Sequence, residues 1–80
     1  MKGLYKHFKG KYYKVIGECR DSDNCKIEYV MYKSLYVGDF PKGTVWIREK
    51  NNFLSPGRFT KLNLIQTIKY YLGVRNAWNY

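Results

Sequence analysis

The sequence predicts a mainly β domain: a small, strongly curved five-stranded sheet or barrel, Src-homology-like or OB-like, followed by one C-terminal α-helix. Three observations lead there. Over the first sixty residues, segments rich in Tyr, Val and Ile alternate with clusters of Gly, Pro, Asp, Asn and Ser, as short strands joined by turns do. In several of these segments neither face is cleanly apolar, which suits a curved sheet with exposed rings on its outer face. After Asn63 the apolar spacing changes from alternation to the helical repeat.

The elements follow in order. Leu4 to Phe8 reads as a short strand closed by the turn at Lys9-Gly10. Tyr12 to Cys19 and Lys26 to Tyr36 flank Arg20-Asp21-Ser22-Asp23-Asn24 and form a hairpin. Thr44 to Arg48 is a further strand, entered through Gly38 to Gly43, and Arg58 to Leu62 is a last one after Ser55-Pro56-Gly57. Alternation puts Val45 and Ile47 on one side and Trp46 and Arg48 on the other. It groups Tyr13, Val15, Gly17 and Cys19, and it sets Tyr5, His7 and Lys9 opposite Leu4 and Phe8. Leu64, Ile65, Ile68, Tyr71 and Leu72 then form the apolar side of a helix capped by Asn63 and stopped by Gly73. That side is expected to pack across the open end of the barrel. The chain is thus one domain, 1–80, with a core at 3–62, a helix at 63–73 and an aromatic tail at 74–80. Trp78 and Tyr80 in that tail are expected to dock on the body or meet a second copy.

Composition narrows the function classes. At 45% hydrophobic, the chain is globular rather than disordered. No apolar run has the length of a membrane span, and the opening Met1-Lys2-Gly3 leads into no apolar signal region, so a soluble cytoplasmic protein with no membrane contact is expected. The net charge is +9, and residues 1–14 carry Lys2, Lys6, Lys9, Lys11 and Lys14 without an acid. Such asymmetry attracts polyanions in a salt-dependent way, although it also serves solubility. Cys19 and Cys25 are too few for a disulfide framework and, with the single His7, cannot supply four zinc ligands. They are expected to be free thiols on neighbouring strands, bonded only after oxidation.

Several of these segments together resemble a known family. Tyr5-x-His7-Phe8-Lys9-Gly10, Tyr13-x-Val15-x-Gly17, Val30-x-Tyr32-x-x-Leu35-Tyr36, Trp46-Ile47-Arg48 and Phe53 are similar, in order and spacing, to the bacterial and phage domain of unknown function 1653. The resemblance covers about residues 3–60 and implies a compact β-rich domain without an assigned activity. Glu49 stands where that family usually has Pro, the turn from Val37 to Gly43 is longer, and residues 63–80 lie beyond the family's core.

The candidate site comes from the interleaving of rings and cations. Aromatic residues make up 19% of the chain, and flat rings beside ammonium or guanidinium groups suit base-containing or anionic ligands. The residues chosen are Tyr5, His7, Lys9, Lys11, Tyr12, Lys14, Trp46 and Arg48. Against this stands a structural use of the rings, since a small β domain needs most of its Tyr and Trp for packing. His7 has no nucleophile or orienting carboxylate at motif spacing, the acids cluster around one loop and one turn, and no glycine loop cradles phosphate. An enzyme is therefore not expected, nor is a metal or cofactor. The leading expectation is a binding module for nucleic acid or another anionic or nucleotide ligand. The alternative is a protein-interaction module that docks on an acidic protein or self-associates as a homodimer through the helix and tail.

Overall fold

A computed structural model describes residues 1–77, with side chains described for residues 1–73. The tail ending in Trp78 and Tyr80, and its expected contacts, lie outside the described residues. The elements are β1 (Gly3–His7), β2 (Tyr12–Arg20), β3 (Glu28–Ser34), β4 (Val45–Glu49), α1 (Lys50–Phe53), β5 (Phe59–Lys61) and α2 (Leu64–Ala77). The strands form one antiparallel sheet in the order β4-β3-β2-β1-β5. The sheet is not closed: β4 and β5 remain its two edges, so the expected barrel is an open sheet here.

Turn chemistry sets the hairpins. At the β1–β2 turn the Gly10 N–H donates to the His7 carbonyl at 2.8 Å, and Gly10 takes a φ of 97° that a side chain would strain. In the β2–β3 loop one Asp21 carboxylate oxygen accepts the N–H groups of Asp23 and Asn24 at 2.8 and 3.1 Å. Such a local bond replaces the ladder bonds the loop gives up. Cys19 pairs across the ladder with Tyr29, whereas Cys25 lies in the loop, so the expected face-to-face placement of the thiols gives way to two separated free cysteines.

The strand order has a consequence for the core. Since β4 and β5 occupy opposite edges, the chain between them must cross one whole face of the sheet. The crossing segment carries α1, and Phe53 at its end enters the face as a plug, 1% exposed. Phe53 stacks on Phe59 at 4.2 Å and 12° and meets Tyr5 edge-on at 5.2 Å. Together with Val15, Val30 and Tyr32 these rings form the main core cluster on one face, while Leu4 is buried on the other. Lys50 anchors the crossing by pairing with Glu18 at 2.6 Å and Glu28 at 3.4 Å on the strands beneath.

Register decides which residues share a face, because directly opposed residues in an antiparallel pair point the same way. Tyr13, Val15, Tyr32, Trp46 and Arg48 fall on the core face with Tyr5 and His7. A bulge between Val15 and Gly17 breaks the alternation of β2, so Gly17 and Cys19 leave the face of Tyr13 and Val15, contrary to the parity reading. Lys6, Tyr12, Lys14, Lys33, Val45 and Ile47 lie on the opposite face.

The helix departs most from expectation. It runs through Gly73 to Ala77, and its apolar side turns away from the body: Leu64 is 76% exposed, Ile65 64% and Ile68 50%. Thr67 and Tyr70, from the other side, are half-buried, with the Tyr70 ring 4.9 Å from that of Tyr12. On the face where α2 sits, Leu4 is already buried and the seat is made by Lys6, Tyr12 and Leu62, on which Tyr70 rather than the apolar side of the helix packs. Asn63 and Gln66 exchange backbone-to-side-chain bonds at 2.8 and 2.9 Å, a reciprocal cap that fixes the helix entry. No helix of the described residues is long and apolar enough to cross a membrane.

Candidate ligand-binding cleft

Beside the Phe53 plug, the core face of β2, β3 and β4 opens into a cleft of about 230 Å³ walled by Tyr13, Tyr32, Tyr36, Trp46 and Arg48. It adjoins a second hollow of about 210 Å³ between Tyr36, Phe40 and Trp46, floored by Ser34 and bordered by Asp39. The rings hold one another. Tyr13 meets Tyr32 and Tyr36 edge-on at 5.3 and 5.5 Å, and the Tyr13 and Tyr36 hydroxyls are hydrogen-bonded at 2.5 Å. Burial first, then that bond, pushes the Tyr13 phenol well above the usual tyrosine range, so it stays protonated. Phe40 supports Trp46 edge-on at 5.2 Å.

Arg48 forms the basic part of the wall. Its Nε donates to the Tyr32 hydroxyl at 3.2 Å and its Nη1 to the Asn52 side-chain oxygen at 2.8 Å. Both partners are neutral, so they orient the guanidinium without neutralising it. The ion pairs found among the described residues join Arg20 and Lys50 to Glu18 and Glu28 and leave Arg48 out. Lys11 places its ammonium 5.2 Å from the centre of the Tyr36 ring, at the rim. Nearby, the buried Nε of Arg58 has no hydrogen-bond partner among the described residues.

His7 closes the other end of this basic region, with its ring 5.0 Å from Phe59 and 6.3 Å from Tyr13. Its Nδ1 accepts the Lys9 N–H at 3.1 Å, which leaves the proton of the neutral ring on Nε2. Burial, followed by the charges of Arg48, Lys9 and Arg58, holds the His7 pKa below the ordinary 6.5. The unfolded chain therefore binds the His7 proton more readily, and stability rises with pH where only the unfolded form is protonated. Acidification below about pH 6.5 is expected to destabilise the native chain, and His7→Gln removes that part of the loss. Urea melts of both proteins across pH 5 to 7.5 (a range set by the ordinary histidine pKa) measure it; parallel pH curves would contradict it.

The eight residues chosen from the sequence therefore divide. His7, Trp46 and Arg48 lie on the cleft face, with Lys11 at the rim and the charge of Lys9 reaching His7. Tyr5 lies beneath, 8% exposed, as a core residue. Tyr12 and Lys14 are on the opposite face and do not join them. Sequence reasoning missed Tyr13 as a wall, although its alternation with Val15 put it on this side. Tyr32 and Tyr36, not among the residues chosen from the sequence, both pack and line the cleft. Arg58 carried no signal beyond its position at a strand start. Among the described residues no group of three or more His, Cys, Asp or Glu side chains is placed to hold a metal ion.

A family model described as protein of unknown function (DUF1653) matches residues 3–61. Comparison with curated proteins and with solved structures returned no match.

Proposed function

The chain belongs to the DUF1653 family, and on that premise we propose that it is a non-enzymatic module that binds single-stranded nucleic acid through the ring-walled basic cleft. The observation that carries the reading is the association of the Trp46, Tyr36 and Tyr32 walls with an Arg48 guanidinium held only by neutral partners. Rings that line an open hollow can take a base only if it is unstacked, which favours single strands over duplex. Lys9, Lys11 and Arg58 then lie where a phosphate backbone leaving the cleft would meet them.

The direct test is anisotropy of labelled single-stranded DNA and RNA at two salt concentrations, with a duplex as control. Binding to single strands that weakens steeply with salt is expected. Affinity weaker than about millimolar at low salt sinks the proposal, since non-specific contacts alone usually do better. A bound phosphate should also favour the imidazolium of His7, so the His7 pKa followed by NMR is expected to rise on saturation with oligonucleotide.

A second reading, protein interaction, is favoured by the outward apolar side of α2. If it mediates self-association, Ile65→Asp with Ile68→Asp converts a dimer to a monomer without loss of fold, because both side chains are exposed. Light scattering decides: a native monomer at every concentration removes the dimer, and capture of an acidic protein by the native chain alone would favour the docking variant.

A further inference from the structure

A cavity of about 450 Å³, larger than the cleft, lies between the first turns of α2 and the β1–β5 edge. Its walls bring together Lys6, Tyr12, Lys61, Gln66, Lys69 and Tyr70. Lys6 comes from the open face of β1 and Lys69 from α2, so two elements far apart in sequence bring cationic side chains to one concavity, while Lys61, opposite Tyr5 in the ladder, borders it from the edge strand with its side chain turned to the core face. Neither Lys6 nor Lys69 enters the ion pairs found among the described residues, and no carboxylate lines the cavity. Convergent like charges cost stability in proportion to their approach. Among the described residues folding gains from them only the approach of Lys6 to the Tyr12 ring, whereas a multiply charged anion would remove the repulsion.

The same wall offers an aromatic platform. Tyr12 and Tyr70 lie 4.9 Å apart at a tilt of 42°, and the Lys6 ammonium stands 5.7 Å from the centre of the Tyr12 ring. The first turn of α2 contains no acidic residue, so nothing offsets the positive end of its backbone dipole next to Gln66. Beyond the cavity the same sheet face continues basic, with Lys14 directly opposite Lys33 on β2 and β3. Directly opposed like charges weaken a sheet pair, which again suits an anion held across them. The volume lies within the range of small-ligand sites, roughly 300–1,000 Å³.

We infer that this cavity is a second binding site, for a nucleoside polyphosphate unit whose base lies on Tyr12 and Tyr70 and whose phosphates meet Lys6 and Lys69. It stands on the face opposite the Trp46 cleft and is independent of it. The phosphate-bearing unit has two sources, a free nucleotide or a nucleotide within a strand.

Amide NMR of the full chain separates the possibilities, with ATP, inorganic tripolyphosphate, adenosine and a short oligonucleotide as probes. ATP is expected to move the amides of Lys6, Tyr12, Gln66 and Tyr70, and to bind more tightly than tripolyphosphate or adenosine. Lys6 and Lys69 are exposed, so Lys6→Ala with Lys69→Ala keeps the fold and should weaken ATP by about tenfold or more, the loss of charge-assisted contacts. Shifts at Tyr70 with ATP alone identify a free nucleotide as the ligand; shifts at Tyr70 with the oligonucleotide as well identify a strand. Either supports the site. Unchanged ATP affinity in the double variant overturns it, as does tripolyphosphate binding as tightly as ATP. Shifts confined to Tyr36 and Trp46 overturn it while leaving the cleft proposal standing; shifts confined to the Tyr70 set do the reverse.

Discussion

Phe53→Ala is expected to unfold the domain or bring it to the edge of unfolding. The Phe53 side chain is among the largest that are fully buried, and it contacts Tyr5, Tyr32 and Phe59 at once. Truncating such a ring costs about 3–5 kcal/mol, the transfer of the ring plus the cavity it leaves. A chain of 80 residues has a total stability of roughly 4–12 kcal/mol, so the loss is comparable with the whole. The position adds to the effect, because Phe53 fastens the crossover that delivers β5 to the far edge. Circular dichroism in urea measures the outcome, with Phe53→Leu as the milder variant that keeps an apolar plug. A loss below about 1 kcal/mol, the typical cost of an arbitrary substitution, would show that the crossover does not hold the core.

The second large effect is on binding. Removing Trp46, Lys9 and Lys11 together by alanine substitution is expected to weaken single-stranded oligonucleotide binding by two orders of magnitude or more at low salt. Loss of one stacked ring accounts for about 1–3 kcal/mol, and 1.4 kcal/mol is a factor of ten. The two lysines act differently, since each lost phosphate contact lowers the slope of log affinity against log salt by about 0.7 for a single strand. Anisotropy at several salt concentrations therefore separates ring from cation: Trp46→Ala alone shifts the line down without changing its slope, and Lys9→Ala with Lys11→Ala flattens it. All three side chains are exposed and outside the Phe53 cluster, so the variants should melt near the native protein. A slope and affinity equal to the native values would remove the cleft as the nucleic-acid surface.

Much of the fold was legible because strand signals here are local. Tyr12 to Cys19 and Thr44 to Arg48 are dense in β-branched and aromatic residues between turn residues with their own hydrogen bonds, and the observed strands begin and end within one residue of those bounds. Lys26 to Tyr36 was read too long by two residues at each end; at the first end the loop takes the backbone bond, with the Ile27 N–H on the Asn24 carbonyl. α1 was not foreseen, because four residues show no periodicity and Phe53 is placed by the core rather than by propensity. The faces of β2 were half legible: a bulge costs one residue of alternation and has no mark in the composition.

The site was legible as chemistry and not as geometry. The residue types were evident from the braid of Tyr, His and Lys along the first fourteen positions. Neighbours in sequence, however, alternate in direction along a strand, so that braid had to be divided between two faces, with His7 on one and Lys6, Tyr12 and Lys14 on the other. Conversely, Trp46 and Arg48 joined His7 because register brings distant strands together.

The sequence by itself determined that the chain is mainly β with a final helix and that its first strands are basic and aromatic, since each follows from local composition and period. Only the tertiary structure decided that the sheet stays open, that α1 crosses it with Phe53 as the plug, and that the apolar side of α2 faces outward. Those outcomes depend on strand order and on which apolar surfaces meet first. The helix meets the face opposite Phe53, where Lys6, Tyr12 and Leu62 form the seat, and comes to rest on Tyr12 through Tyr70.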